Sequence, residues 1–75
     1  MFVLNIISII DENTNVVLIN NDTKKLEAIY DGKDSIPEKY NDWIVNFLSI
    51  ENVLLPIKEK EATALAIYAH KGLDQ

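Results

Sequence analysis

The fold of this chain depends on one stretch of sequence, Glu38-Lys39-Tyr40-Asn41-Asp42-Trp43-Ile44-Val45-Asn46-Phe47-Leu48-Ser49-Ile50. As a helix that begins at Pro37, this stretch places four large side chains on one side, at Tyr40, Trp43, Phe47 and Ile50. As a strand from Trp43, it alternates two apolar faces, and a tight turn at 51–52 leads into a further strand over 53–57. The β-branched and aromatic residues favour the strand, but the spacing fits a helix about equally well, so both interpretations remain open.

The residues before this stretch predict strands. Met1–Ile10 is β-branched and almost continuously apolar, which is typical of a strand buried on both faces. A polar turn cluster over 11–15 separates it from a second strand over 16–20, so we expect a hairpin. Residues 26–30 fit either a short helix that ends at Gly32 or a third strand, and the strand is favoured because it continues the meander. A loop over 31–37 follows.

The C-terminal residues predict a helix over Lys58–Lys71. Acidic Glu59 and Glu61 fall in its first turn and His70 in its last, as the helix dipole favours. Gly72 suits the position just after a helix end. Together these elements predict a single α+β domain over residues 1–75, an antiparallel sheet of four or five strands with one C-terminal helix.

The composition disfavours several classes of function. The 75 residues include no Cys, no Arg, one His and two Gly, so disulfides, cysteine nucleophiles and glycine-rich phosphate loops are not expected. A formal net charge of −5 disfavours direct binding to nucleic acid. The apolar N-terminal run is shorter than the roughly 20 residues that span a bilayer and lacks the flanks of a signal peptide. We therefore expect a cytoplasmic, non-enzymatic protein with no membrane contact and no cofactor.

Candidate functional residues lie around the loop that precedes Trp43. Tyr and Trp are enriched at the centres of protein interfaces, and an acidic surface suits a basic partner. The carboxylates there do not have the spacing of a calcium loop, so we interpret them as a solvated acidic surface and expect no metal site. A place in the core is the simpler interpretation of Trp43, and His70 is expected to cap its helix or face solvent. The candidate partner-binding residues are Tyr30, Asp31, Asp34, Glu38, Tyr40 and Trp43.

The same region carries a family resemblance. The motifs Ile29–Lys33, Ile36–Tyr40 and Trp43–Val45 resemble small uncharacterised accessory proteins of bacteriophages that infect low-GC Gram-positive bacteria. The resemblance covers roughly residues 26–57 and brings no catalytic residue with it. It implies a hairpin over 43–57 and an accessory viral protein that binds something of its host.

These observations lead to one expected function and one alternative. The first is a non-enzymatic binding protein that inhibits or modulates a host protein by occlusion, such as a defence or nucleic-acid-handling enzyme. The alternative is an oligomeric protein that binds and sequesters a nucleotide signal between its subunits. Because one thin helix covers only one face of a five-stranded sheet, we also expect a homo-oligomer.

Overall fold

A mixed four-stranded sheet organises the chain in the computed structural model, which describes residues 1–32, 35–55 and 60–72. In chain order the elements are helix α1 (Val3–Ile9), strand β1 (Asn15–Asn20), strand β2 (Lys25–Asp31), a 3-10 turn (Glu38–Tyr40), strand β3 (Ile44–Leu55) and strand β4 (Lys60–His70). The one α-helix of the described residues has seven residues, too few to cross a membrane.

The strand order is β2-β1-β4-β3. Strand β1 pairs antiparallel with β2 and parallel with β4, and β4 pairs antiparallel with β3. The inner strands are thus β1 and β4, and β2 and β3 form the two edges. The predicted fold class, an antiparallel sheet with a C-terminal helix, is wrong, because the sheet is mixed and the helix is N-terminal.

The first predicted strand, Met1–Ile10, is a helix over most of its length. Val3, Ile6, Ile7 and Ile10 have helical spacing and pack toward the core. Carbonyls far along the chain stabilise the helix start, because the N–H of Val3 donates to the Trp43 carbonyl at 2.9 Å. The Asn5 side chain accepts a further bond from the N–H of Phe2 at 2.7 Å. A seven-residue helix is marginal alone, so these tertiary contacts account for it.

The predicted C-terminal helix is wrong as well, since residues 60–70 form the inner strand β4. This strand lies between two others, and buried apolar side chains occupy both of its faces. Leu65, Ile67 and Ala69 project to the face that carries α1, while Ala64 and Ala66 project to the other. The same near-continuous apolar run fits a buried helix, and periodicity alone does not separate the two. Residues 58 and 59 lie outside the described part of the chain.

The decisive stretch 38–50 contains both helical turn and strand. The chain forms a 3-10 turn over Glu38–Tyr40 and becomes extended from Ile44. Strand β3 then runs unbroken through 51–52 to Leu55, so the predicted tight turn there is wrong. The predicted strands over 16–20 and 26–30 are confirmed as β1 and β2.

The core lies between the sheet and the segments packed on one of its faces. Helix α1, the 3-10 turn and the following Trp43 all cover this face. The cluster comprises Val3, Ile6, Val16, Leu18, Tyr40, Trp43, Ile67 and Ala69. On the opposite face the rings of Phe47 and Tyr68 stack at 4.2 Å across β3 and β4.

Candidate functional site: the aromatic corner

Three aromatic side chains meet where β2, the 3-10 turn and the start of β3 come together. The rings of Tyr30 and Tyr40 are 6.5 Å apart and edge to face, and those of Tyr40 and Trp43 are 5.2 Å apart in the same arrangement. Edge-to-face contacts of this kind stabilise by about 0.5–1.5 kcal/mol each beyond the burial of their area. We call the cluster of Tyr30, Tyr40 and Trp43 the aromatic corner, and we call the charged side chains around it the rim of the corner.

Burial divides the roles of the three rings. Tyr40 is 5% exposed and Trp43 is 3% exposed, so both belong to the core. Tyr30 is half-buried at the end of β2. The rings therefore fix the backbone of the corner, and most of the surface that a partner would contact comes from the polar side chains around them.

The rim of the corner carries charges of both signs. Glu27, Lys39 and Lys71 lie on it, and Asp31 and Glu38 are exposed carboxylates within two residues of Tyr30 and Tyr40 along the chain. The Lys39 ammonium lies 5.1 Å from the centre of the Tyr40 ring, in cation–π range. Tyr40 also donates a long hydrogen bond of 3.5 Å from its hydroxyl to the Glu27 carboxylate.

A cleft of about 210 Å³ opens within the corner. It is lined mainly by polar groups and is smaller than the roughly 300–1,000 Å³ of typical small-molecule pockets. The size suits one side chain of a partner rather than a whole cofactor. The lining residues are Glu27, Lys39, Tyr40, Trp43 and Lys71.

Two irregularities of the backbone position the cleft. Leu18 pairs with Ala28 and Ile19 pairs with Leu26, which leaves Glu27 as the extra residue of a β-bulge. Bulges re-aim side chains, and this one brings the Glu27 carboxylate to the Tyr40 hydroxyl. At the other wall Gly72 passes so close to Asp42 that an added Cβ would lie 3.1 Å from the Asp42 carbonyl. This close approach places Lys71 beside the turn that carries Trp43.

The electrostatics of the corner favour neutral tyrosines. Burial is the main cause that raises the pKa of Tyr30 to about 12, and the neighbouring Tyr40 and Glu27 add to it. Across the sheet, the hydrogen bond from the Tyr68 hydroxyl to Glu51, at 2.5 Å, raises the pKa of Tyr68. Both phenols thus remain protonated at neutral pH and act as hydrogen-bond donors.

The structure brings three of the six sequence-predicted residues together. Tyr30, Tyr40 and Trp43 are in ring contact, and Asp31 and Glu38 are exposed and lie close to them along the chain. Asp34 lies outside the described residues, so its part stays a prediction. Their binding role also stays a prediction.

Other residues depart from the sequence-based interpretation or were not foreseen by it. His70 ends a strand rather than a helix, and its Nδ1 lies 2.7 Å from the Asn46 side-chain oxygen. Glu27, Lys39 and Lys71 line the cleft although none of them was predicted to bind. Glu27 and Lys39 are close along the chain to the predicted aromatics, whereas Lys71 is distant from them. Within the described ranges, no three His, Asp or Glu side chains form a group suited to a metal ion.

Comparisons with known proteins add no assignment to this geometry. Neither the family models, nor the curated proteins, nor the solved structures give a match to the chain.

Proposed function

We propose that this protein is a non-enzymatic binding protein that occludes a protein partner with its aromatic corner. The observation that carries the proposal is the continuous ring contact of Tyr30, Tyr40 and Trp43, with exposed carboxylates close to these rings along the chain. Rigid support of this kind lowers the entropy that a contact surface loses on binding. Tyr40 and Trp43 act here as positioning residues, and the rim makes the contact.

The charge of the rim favours a basic partner surface. The exposed carboxylates of Glu27, Asp31 and Glu38 outnumber the ammonium groups of Lys39 and Lys71 near the corner by three to two, and the chain as a whole carries −5. Complementary charge steers the encounter of two proteins and sets their register more than it adds affinity. With the resemblance to phage accessory proteins, this supports a host protein in the host cytoplasm as the target, such as a defence or nucleic-acid-handling enzyme. Direct contact with nucleic acid is not part of the proposal.

The shape of the cleft favours a protein partner over a sequestered nucleotide. A base needs the open face of an aromatic ring for stacking. In the corner the rings meet edge to face, two of them are buried, and Lys39 lies over the face of Tyr40. One side chain of a protein partner fits the cleft without displacing these groups.

Charge reversal on the rim tests the proposal. The double substitution Asp31→Lys, Glu38→Lys reverses two negative charges near the aromatic corner. The double substitution Asp11→Lys, Asp22→Lys is the matched control, because it reverses two exposed carboxylates outside the corner. Protein captured from a host lysate by the parent chain should be identified, purified and titrated against all three proteins. We expect at least a tenfold loss of affinity for the rim variant alone, and weaker binding of the parent chain as salt rises.

Equal binding by all three proteins contradicts a contact through the corner. A nucleotide that raises the melting temperature of the parent chain, in the absence of any captured protein, favours the nucleotide-sequestering alternative instead. Far-ultraviolet circular dichroism of each variant establishes that the fold is retained.

A further inference from the structure

Strand β3 presents a long free edge on the side of the sheet opposite β2. One side of β3 pairs with β4 from Ile44 to Leu55. On its other side the N terminus covers only the start, where Phe2 bridges Ile44 and the Val45 N–H donates to the Met1 carbonyl at 2.8 Å. Among the described residues, no strand pairs with that side from Phe47 to Leu55. Backbone groups along this edge are a template for a further strand.

Beyond the β-bulge at Asn46 near its start, β3 lacks the features that normally protect an edge. Natural edge strands are short, or carry bulges, Lys, Pro or inward-pointing charges. The twelve residues of β3 contain neither Lys nor Pro, and Glu51 is their only charged residue. Among the side chains of β3 that the structure describes, four large apolar ones are exposed: Phe47 (49%), Leu48 (43%), Ile50 (70%) and Leu54 (60%).

The outer half of the β3–β4 hairpin also lacks a third strand in the described structure. Strand β1 pairs with β4 only from Leu65 to Ala69. Beyond that point, Glu61–Ala64 pairs with β3 alone. An isolated two-stranded hairpin is marginally stable in water, whereas three or more strands are stable. A strand added beside β3 would therefore stabilise the part of the sheet that needs it most.

We propose that this strand is β3 of a second copy, paired antiparallel about a two-fold axis at Ile50. The two four-stranded sheets then join into one continuous eight-stranded sheet. A two-fold interface must be self-complementary, and one residue of β3 has to face its own copy. Centring on Ile50 makes that residue apolar, whereas centring on Glu51 would set two carboxylates against each other.

Two of the remaining cross-strand pairs of this register are favourable, while Leu48 faces the polar Asn52 of the second copy. Phe47 faces Val53 of the second copy, an aromatic–β-branched pair of the kind that stabilises sheets. Ser49 faces Glu51 of the second copy, which places a hydroxyl donor opposite the one carboxylate of the strand. Each pair occurs twice, and no like charges face each other across the interface.

The size of the interface predicts reversible association. The segment from Phe47 to Val53 is about 23 Å long at roughly 3.3 Å per residue. Such a contact belongs to the smallest class of interfaces, below roughly 1,200 Å² in total, which form weak or transient complexes. Because each chain carries −5, added salt screens the repulsion between copies and strengthens the dimer.

Sedimentation velocity over a wide range of protein concentration, at low and high salt, tests the proposal. The parent chain should approach twice its mass of 8.5 kDa as concentration rises, and more readily at high salt. Ile50→Lys and Ile50→Glu should each remain monomeric, because each places two like charges on the axis. Ile9→Lys is the matched control, since Ile9 is 78% exposed but lies on α1. It should dimerise like the parent chain.

An equimolar mixture of Ile50→Lys and Ile50→Glu should restore the dimer, because opposite charges then meet on the axis. Emission from Trp43 establishes whether each variant is folded. If one of the two Ile50 variants does not fold, the other still tests the proposal. A monomeric parent chain at the highest concentration overturns the proposal. A dimer that persists in the Ile50→Lys or the Ile50→Glu variant also overturns the proposal. If the mixture of the two variants stays monomeric, the register centred on Ile50 is wrong.

Discussion

The conservative substitution Ile67→Val tests the position of β4 at the centre of the sheet. Ile67 is fully buried, and it packs in the core cluster with Val3 of α1 and Leu18 of β1. The substitution removes one methylene and leaves a strand-favouring residue in place. We expect a loss of about 1 kcal/mol in the free energy of unfolding, within the 0.5–1.5 kcal/mol usual for this change in a core.

That loss is a measurable share of the total stability. At roughly 0.05–0.15 kcal/mol per residue, a domain of this size has about 4–11 kcal/mol in all. With a urea dependence of about 1 kcal/mol per molar, the midpoint should fall by about 1 M. Trp43 is the only tryptophan and is buried, so its emission reports the transition. The titrations should share one protein concentration, since self-association would otherwise shift the midpoint.

Ile9→Val is the matched control because it makes the same chemical change at an exposed position. Ile9 is the last residue of α1 and faces solvent. We expect a change within about 0.5 kcal/mol. If residues 1–10 formed a strand buried on both faces, Ile9 would lie in the core and its truncation would cost as much as that of Ile67. Equal costs at the two positions would refute the fold described above.

Three further predictions follow from single contacts. Gly32→Ala should lower the free energy of unfolding by roughly 1–3 kcal/mol. The reason is that Gly32 has a φ of 111° and an added Cβ would lie 3.0 Å from the Glu12 carbonyl. An unchanged melting temperature in thermal unfolding would contradict a strained turn at Gly32. The stability conferred by neutral Tyr30 should be constant below pH 10 and decline as the pH rises from about 10 toward 12, since its folded pKa of about 12 lies above the unfolded value of about 10. Tyr30→Phe should flatten this part of the pH profile in urea titrations, and identical profiles would contradict a buried phenol. Emission from Trp43 should be blue-shifted and resist acrylamide quenching, as expected of a ring that is 3% exposed, whereas emission typical of indole in water would remove Trp43 from the core.

Part of the fold follows from local sequence. Strands β1 and β2 form a hairpin around a turn of Asn and Asp, and the Asn20 side chain accepts bonds from the N–H groups of Asp22 and Thr23. Turn chemistry of this kind is local, so it can be read from the sequence. The aromatic corner could be found for the same reason, because most of its residues are close together along the chain.

The two large errors arise where distant residues determine the structure. Helix α1 begins with N–H groups that bond to the carbonyls of Trp43 and Asn41, which no local capping rule can show. The polar Asn5 and Ser8, three residues apart on the exposed face, are a helical signal there, but the nearly continuous apolar run around them fits a strand as well. Residues 60–70 form a strand because β1 and β3 provide partners on both sides, and this tertiary context overrides the helical preference of their alanines.

The parallel pairing of β1 with β4 places β4 inside the sheet and leaves β3 at an edge, so the rest of the fold depends on it. Nuclear Overhauser effects between the backbone protons of Val16–Asn20 and those of Leu65–Ala69 test this pairing directly. We expect a parallel pattern of contacts centred on Leu18 and Ile67, with strand-type Cα shifts over residues 60–70. Helical shifts over those residues, with sequential amide contacts and no contact to β1, would contradict the fold and with it the free edge of β3.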